Sequence, residues 1–329
     1  MPERVKHRGE LRVWIGALLP LLLFARMGGA QTPPSQPEPE EEPFSIAVDF
    51  NLVTLQASVH DRKSQDVVSL RQQDFALFED GVRQSIRLFK REDAPVTVGL
   101  VVDHSGSMRS KLGDVMLSAS LFAQSSNPKD EIFVVNFNEK VYYGLNGANQ
   151  FTDNPDELKD AIGRAPVTGQ TALYDAIVAG LDRLKAGHWD KKVLIVISDG
   201  GDNASKHTLA EISDLAERSN AVIYTIGIFS GESTDANPGV LRKLAETTGG
   251  EWFFPMQLTQ LMPVSEHIAD DIRNQYMIGY VSTNPKQDGT RRTIRLIAEA
   301  PGAGKLRVRT RKGYVAQVIA DSKAPATKP

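Results

Sequence analysis

Cysteine is absent from all 329 residues. The chain therefore forms no disulfide, no thiolate zinc site, no cysteine nucleophile and no cysteine-linked lipid, and its fold has to stand on packing and hydrogen bonding. Aromatic residues are sparse, at 7%. No apolar run reaches the ~20 residues of a membrane-spanning helix. Charge of neither sign dominates: the formal net charge is -3. Residues 1–30 carry five Lys or Arg against two Glu, which leaves about -6 for the remainder. That balance offers no basic footprint for nucleic acid.

What is present is enough apolar content, 41%, to bury one sizeable core and a second, smaller one. The amino terminus supplies Arg4, Lys6, Arg8 and Arg12, then 13 uncharged residues from Val13 to Ala25, then the small residues Gly28-Gly29-Ala30. This is the charge, apolar length and cleavage site of an export signal over residues 1–30; an uncleaved anchor is the alternative, and the one route to a membrane. Exported here means periplasmic or secreted. Residues 31–43 hold five prolines and four glutamates, too polar and stiff to pack, so they read as an extended linker.

From residue 44 to 93 the apolar period is two: Val53, Leu55, Ala57 and Val59, then Phe75 and Leu77, then Ile86 and Leu88, with Glu79-Asp80-Gly81 as a turn. Val96 to Val102 is an uncharged, β-branched run that reads as a strand buried on both faces. Helical spacing follows through Leu112, Val115, Met116, Ala119, Phe122 and Ala123. Strands Ile132–Phe137, Val193–Ile197 and Ala221–Phe229 then alternate with helices begun at Thr171, over Leu209–Arg218, over Val240–Thr247 and over Leu258–Gln275. Such βα succession predicts a doubly wound, mainly parallel, Rossmann-like α/β sheet over residues 94–275. Period two returns in Tyr276–Val281, Thr293–Ala298 and Lys305–Thr310. The segments 44–93 and 276–316 are each marginal alone, so together they predict a small β-sandwich-like unit; residues 317–329 read as a disordered tail.

Ligands bind open α/β sheets outside the carboxyl ends of the strands. Three oxygen-bearing pieces fall there: Asp103, Ser105 and Ser107 in Asp-His-Ser-Gly-Ser-Met, Thr171 in Thr-Gly-Gln-Thr, and Asp199 after Val193–Ile197. Two carboxylates and three hydroxyls with room for water suit an octahedral hard cation, Mg2+ or else Mn2+. Other readings are weaker. His104 beside Ser105 lacks a Gly-x-Ser-x-Gly elbow. Asp199, Asp202 and Asn203 open like a calcium loop without its glycine or distal glutamate, and Gly302-Ala303-Gly304-Lys305 lacks the Ser/Thr of a phosphate loop.

The three pieces, with Gly-Gln-Thr-Ala-Leu-Tyr-Asp and Val-Leu-Ile-Val-Ile-Ser-Asp-Gly, resemble the von Willebrand factor A domain and its metal-ion-dependent adhesion site. The flanks, with Phe78-Glu79-Asp80-Gly81 and Arg309 to Tyr314, resemble bacterial exported proteins described as VWFA-related. The resemblance implies that Ser105 and Ser107 ligate the metal directly, and that Thr171, Asp103 and Asp199 do so directly or through water. It also implies that an acidic group of a partner completes the shell. The function expected is therefore a metal-dependent module that binds a protein or envelope component presenting an acidic residue, not an enzyme. The alternative is a metal-assisted hydrolase or phosphotransferase at the same site, for which only His104, Asp175 and Asp202 stand as candidate bases.

Overall fold

The computed structural model describes residues 52–317 apart from 64, 65, 68, 92, 146, 148, 149, 230–234 and 303. The segments expected to form an export signal and a linker, the start of the first expected β segment and almost all of the expected tail lie outside the described residues. In chain order the strands are β1 (Leu52–His60), β2 (Phe75–Glu79), β3 (Val82–Gln84), β4 (Ile86–Lys90) and β5 (Val96–Asp103). Helix α1 (Leu112–Ser125), β6 (Glu131–Phe137), β7 (Val141–Tyr143), α2 (Pro155–Gly163), α3 (Leu173–Lys185) and β8 (Lys191–Ser198) follow. Then come α4 (Leu209–Arg218), β9 (Val222–Gly227), α5 (Pro238–Thr248), β10 (Trp252–Phe253) and α6 (Leu261–Asn274). The chain closes with β11 (Tyr276–Val281), β12 (Arg291–Ala298), β13 (Arg307–Arg309) and β14 (Gly313–Val315).

Six strands make the central sheet in the order β10-β9-β8-β5-β6-β7. All its pairings are parallel except β6 with β7. Every residue of β5 is buried, as suits a strand that lies between two helical layers and is uncharged up to its final residue, Asp103. Val98, Leu100 and Val102 face a core shared with α1, α2 and α6, while Val101 faces the core of α3, α4 and α5. The chain runs from β5 to β6 on one side and returns to β8 on the other. The strand order therefore reverses at β5, and the crevice at its carboxyl end is the place where such sheets take ligands.

The flanking strands form two antiparallel sheets, β13-β1-β11-β4 and β14-β12-β2-β3. Leu55 stands opposite Ile278, Ala57 opposite Tyr276, and Leu77 opposite Leu296, and these residues share a third core with Phe75, Tyr280 and Ile294. The fold is thus mixed α/β, with a mainly parallel sheet and flanking antiparallel sheets. Buried Glu79 is satisfied by hydroxyls from Tyr280 at 2.6 Å and Tyr314 at 3.0 Å, as a buried carboxylate requires.

Several expected elements differ in detail. Asp80-Gly81, both at positive φ, turn β2 back onto β3 rather than onto Ile86–Leu88; β4 leaves that sheet and pairs with β11 in the other. The helix expected from Leu258 begins as a 3-10 turn, and α6 proper starts at Leu261. Pro263, which has no N–H, fits its first turn. Helix α2 and the short strands β3, β7, β10 and β14 stand where the sequence reading placed no element.

Two contacts give measurable expectations. Helix α5 ends on Gly249 at φ +84, where an added Cβ would lie 2.4 Å from the Arg311 backbone nitrogen. Gly249→Ala is expected to cost ~1–3 kcal/mol in a urea titration. Gly113→Ala, in α1 with open space around it, should gain ~0.4–1 kcal/mol. Lys191, at the buried start of β8, donates to the Ile272 carbonyl in the last turn of α6, and burial pulls its ammonium down to about 8. Between pH 8 and 10.5 the folded chain then holds fewer protons at this group than the unfolded chain. Its burial cost is thus fully present below pH 8 and fades as pH rises. Wild type should gain ~2–3 kcal/mol across that window relative to Lys191→Met; equal pH slopes would show that burial does not weaken this ammonium.

Candidate metal centre

At the end of β5 the Asp103 side chain turns back on the loop. Its Oδ1 accepts the Ser105 N–H at 2.7 Å, and its Oδ2 accepts the Ser198 hydroxyl at 2.7 Å. The first contact is an Asx turn, which bends the chain sharply after the strand; the second ties the ends of β5 and β8 together. Asp103 is fully buried. Burial pushes its carboxyl up to about 6; hydrogen bonds from Ser105 and Ser198 oppose that rise, and the Asp199 charge adds to it.

Above this carboxylate lie the other oxygens. The Ser105 and Ser107 hydroxyls share a hydrogen bond of 3.2 Å, and Ser107 donates to Asp199 Oδ2 at 3.3 Å. Asp199 Oδ1 accepts the Gly201 N–H at 3.0 Å. Neighbouring ligands of an octahedral cation with bonds of 2.0–2.1 Å stand about 3 Å apart, so the two hydroxyls and the Asp199 carboxylate are spaced as adjacent ligands. Ser105 and Asp199 are buried, Ser107 is half-buried and Gly106 is exposed. The cluster therefore opens outward at the Gly106–Ser107 edge.

Thr171 comes from the loop before α3. That loop is fastened to the first one by Thr168 N–H on the His104 carbonyl at 3.0 Å and Gly106 N–H on the Gly169 carbonyl at 3.4 Å. It is fastened to the Asp199 loop by the Thr171 N–H on Asn203 Oδ1 at 2.9 Å and the Asn203 N–H on the Thr171 carbonyl at 2.9 Å. The three loops that carry the five predicted residues are thus tied to one another. Direct side-chain hydrogen bonds link Asp199, Ser107 and Ser105, and the Ser105 N–H carries the chain of contacts on to Asp103. Thr171 is held through its backbone.

Ser198 and Asn203 position this set, and the sequence reading gave neither that role. Ser198 is visible in hindsight as a hydroxyl next to a strand-end aspartate, while Asn203 acts across 32 residues and carries no local signal. The three candidate bases are engaged elsewhere. His104 is fully buried with Nδ1 3.1 Å from the Val102 carbonyl and Nε2 2.9 Å from the Ile162 carbonyl. Asp202 accepts from Tyr174 N–H and the Ser205 hydroxyl. Asp175 accepts from Lys206 N–H, His207 N–H and the His207 ring.

A doubly wound domain with an oxygen-lined loop cluster at the strand-order reversal defines the class. Residues 97–267, more than half of the chain, match the von Willebrand factor type A domain, and the chain belongs to that family. No curated protein is similar enough to count as a match. Similar solved structures include a von Willebrand factor type A protein from Catenulispora acidiphila, 14% identical, covering 84% of this chain and 76% of that one with a TM-score of 0.48. The vWF domain of the type V pili tip protein Mfa5 from Porphyromonas gingivalis is 15% identical, covering 54% and 95%, with a TM-score of 0.46. Proximal thread matrix protein 1 from the mussel byssus, with a zinc-occupied MIDAS motif, is 18% identical, covering 59% and 49%, with a TM-score of 0.46.

The buried charge gives a direct expectation. Asp103→Asn keeps the Ser105 N–H on its amide oxygen and reverses the Ser198 bond, its amide nitrogen donating to Ser198 Oγ, which also accepts the Gly200 N–H. The substitution also removes an anion held out of water. In chelator near neutral pH the variant should be more stable than wild type by ~1–3 kcal/mol. Lower stability in a denaturant titration would mean that the contacts made by the charged form outweigh its burial.

Proposed function

We propose that this chain is an exported binding module in which Asp103, Ser105, Ser107, Thr171 and Asp199 hold a divalent cation, magnesium or manganese, that bridges to an acidic group on a protein or envelope partner. The observation that carries this reading is the run of oxygens from Asp199 through Ser107 to Ser105, at 3.3 and 3.2 Å, on the open edge above buried Asp103. Two protein carboxylates balance the charge of the cation but do not fill its shell, so an oxygen of a partner's carboxylate can take a position otherwise held by water.

Binding is favoured over catalysis because hydrolysis at a metal needs a base with a lone pair facing the open position. His104 has both ring nitrogens on backbone carbonyls, and Asp175 and Asp202 brace the loops around α3. Export rests on the charged and apolar run of residues 1–30; attachment to a membrane would need that segment to stay uncleaved. Among the described residues no helix is long and apolar enough to cross a membrane. We place the domain limits at 44–93 and 276–316 for one β unit, with 94–275 inserted between. The pairing of β1 and β4 with β11, and of β2 with β12, supports that division.

Calorimetry of the whole chain with magnesium should show one weak site in wild type and none in Asp103→Ala; equal affinity in the two would overturn the metal assignment. A pull-down from envelope extract should recover a partner that chelator releases and that Asp103→Ala fails to retain. A partner indifferent to both would place the binding surface elsewhere.

A further inference from the structure

A second group of metal-ligating side chains lies at the opposite end of the central sheet, where the last turns of α6 meet β1 and β13. His60 closes β1, and its Nε2 stands 3.0 Å from Asp66 Oδ1 and 3.9 Å from Asp271 Oδ1. All three ligand atoms lie within 4.8 Å of one another. Asp66 is bridged to His60 through the backbone, so these two side chains stand together beside α6, His60 against Asp271 and Asp66 against Asn274.

The decisive feature is Asp271. It is 1% exposed. Its Oδ2 accepts from the Tyr224 hydroxyl and from Arg309, whereas its Oδ1 is buried with no hydrogen-bond partner and is turned toward His60. An unmatched buried carboxylate oxygen is expensive to keep, and an isolated ion pair of His60 with Asp66 leaves it unmatched. Asp66 shows the same division of labour: Asn274 Nδ2 holds its Oδ2 at 3.2 Å while its Oδ1 faces the imidazole. Outer partners that fix one carboxylate oxygen and leave the other for a metal are the usual surroundings of a ligand set.

We propose that His60, Asp66 and Asp271 form a second divalent-cation site, of the nitrogen-and-oxygen kind that zinc takes, with water in the fourth position, and that the ion pins α6 to β1. Tetrahedral ligands with zinc bonds of ~2.0–2.2 Å stand roughly 3.2–3.6 Å apart. His60 and Asp66 are already at about that separation, while Asp271 Oδ1 stands 3.9 Å from the imidazole and within 4.8 Å of both other ligand atoms, so it has to draw inward on binding the ion. One imidazole among the ligands distinguishes this set from the all-oxygen loops around Asp103 and favours zinc over magnesium. Arg309 does not oppose the ion alone, because Glu251 also pairs with its guanidinium.

The test uses the whole chain stripped with chelator, with excess magnesium present to occupy the Asp103 loops, and cobalt(II) as the visible probe of a zinc site. Wild type and Asp103→Ala should each take up one equivalent of cobalt with the intense bands of low coordination, and zinc should displace it. His60→Gln should weaken uptake at least about tenfold. So should Asp66→Asn, a partly exposed change that leaves the fold measurable by circular dichroism. Absence of a saturable signal in wild type, an unchanged signal in both ligand variants, or its loss in Asp103→Ala alone would overturn the proposal.

Discussion

A carboxylate held out of water governs the carboxyl end of the sheet. Asp103 terminates a strand buried along its whole length, and the two groups that meet its oxygens come from the turn that follows and from the neighbouring strand. Because the Asx turn starts at Asp103, the same contact that places this anion also directs Ser105 and Ser107 upward. Because Ser198 precedes Asp199, the hydroxyl that steadies one carboxylate also sets the origin of the other. The geometry of the loops is therefore a consequence of how one buried charge is satisfied.

The opposite end of the sheet is built on different chemistry. There Lys191, Asp271, Arg309, Glu251 and Tyr224 form a polar junction between α6 and the antiparallel strands. Gln275, the residue joining α6 to β11, adds hydrogen bonds to Tyr224 and Ser58. An apolar seam would tolerate sliding of the helix along its axis. Paired charges with directional donors do not, so this junction favours one register of α6 against β1 and β13.

Much of this was legible in the chain. The uncharged run of β5, the helical spacing of α1 and α3 and the ordered oxygen residues each act over short sequence distances, and the oxygen residues stand in loops that follow the carboxyl ends of β5 and β8 and precede α3. What escaped detection acts at long range or in short pieces. Helix α2 carries a clear start signal, with Asn154 capping Asp156 N–H and Glu157 N–H and proline at its first position, but it buries only Leu158, Ala161 and Ile162 and leaves too brief a periodic trace. The switch of sheets between β3 and β4 depends on partners some two hundred residues away. The same is true of the triad of His60, Asp66 and Asp271, whose members no spacing rule connects.

The pairing of β1 with β11 carries a further implication, for the order in which the molecule is made. The first strand emerges early from the ribosome, yet its neighbour is separated from it by the entire α/β region. Closing so long a loop from an open chain costs roughly 4–5 kcal/mol in entropy before any contact rewards it. If the parallel sheet forms first, α6 delivers β11 beside β4, since the two are hydrogen-bonded neighbours, and most of that closure has already been made. Strands β1 and β4 therefore wait without the neighbour they share until β11 arrives late in the chain, which makes the interval before β11 appears the period in which the nascent protein is most exposed to misassociation.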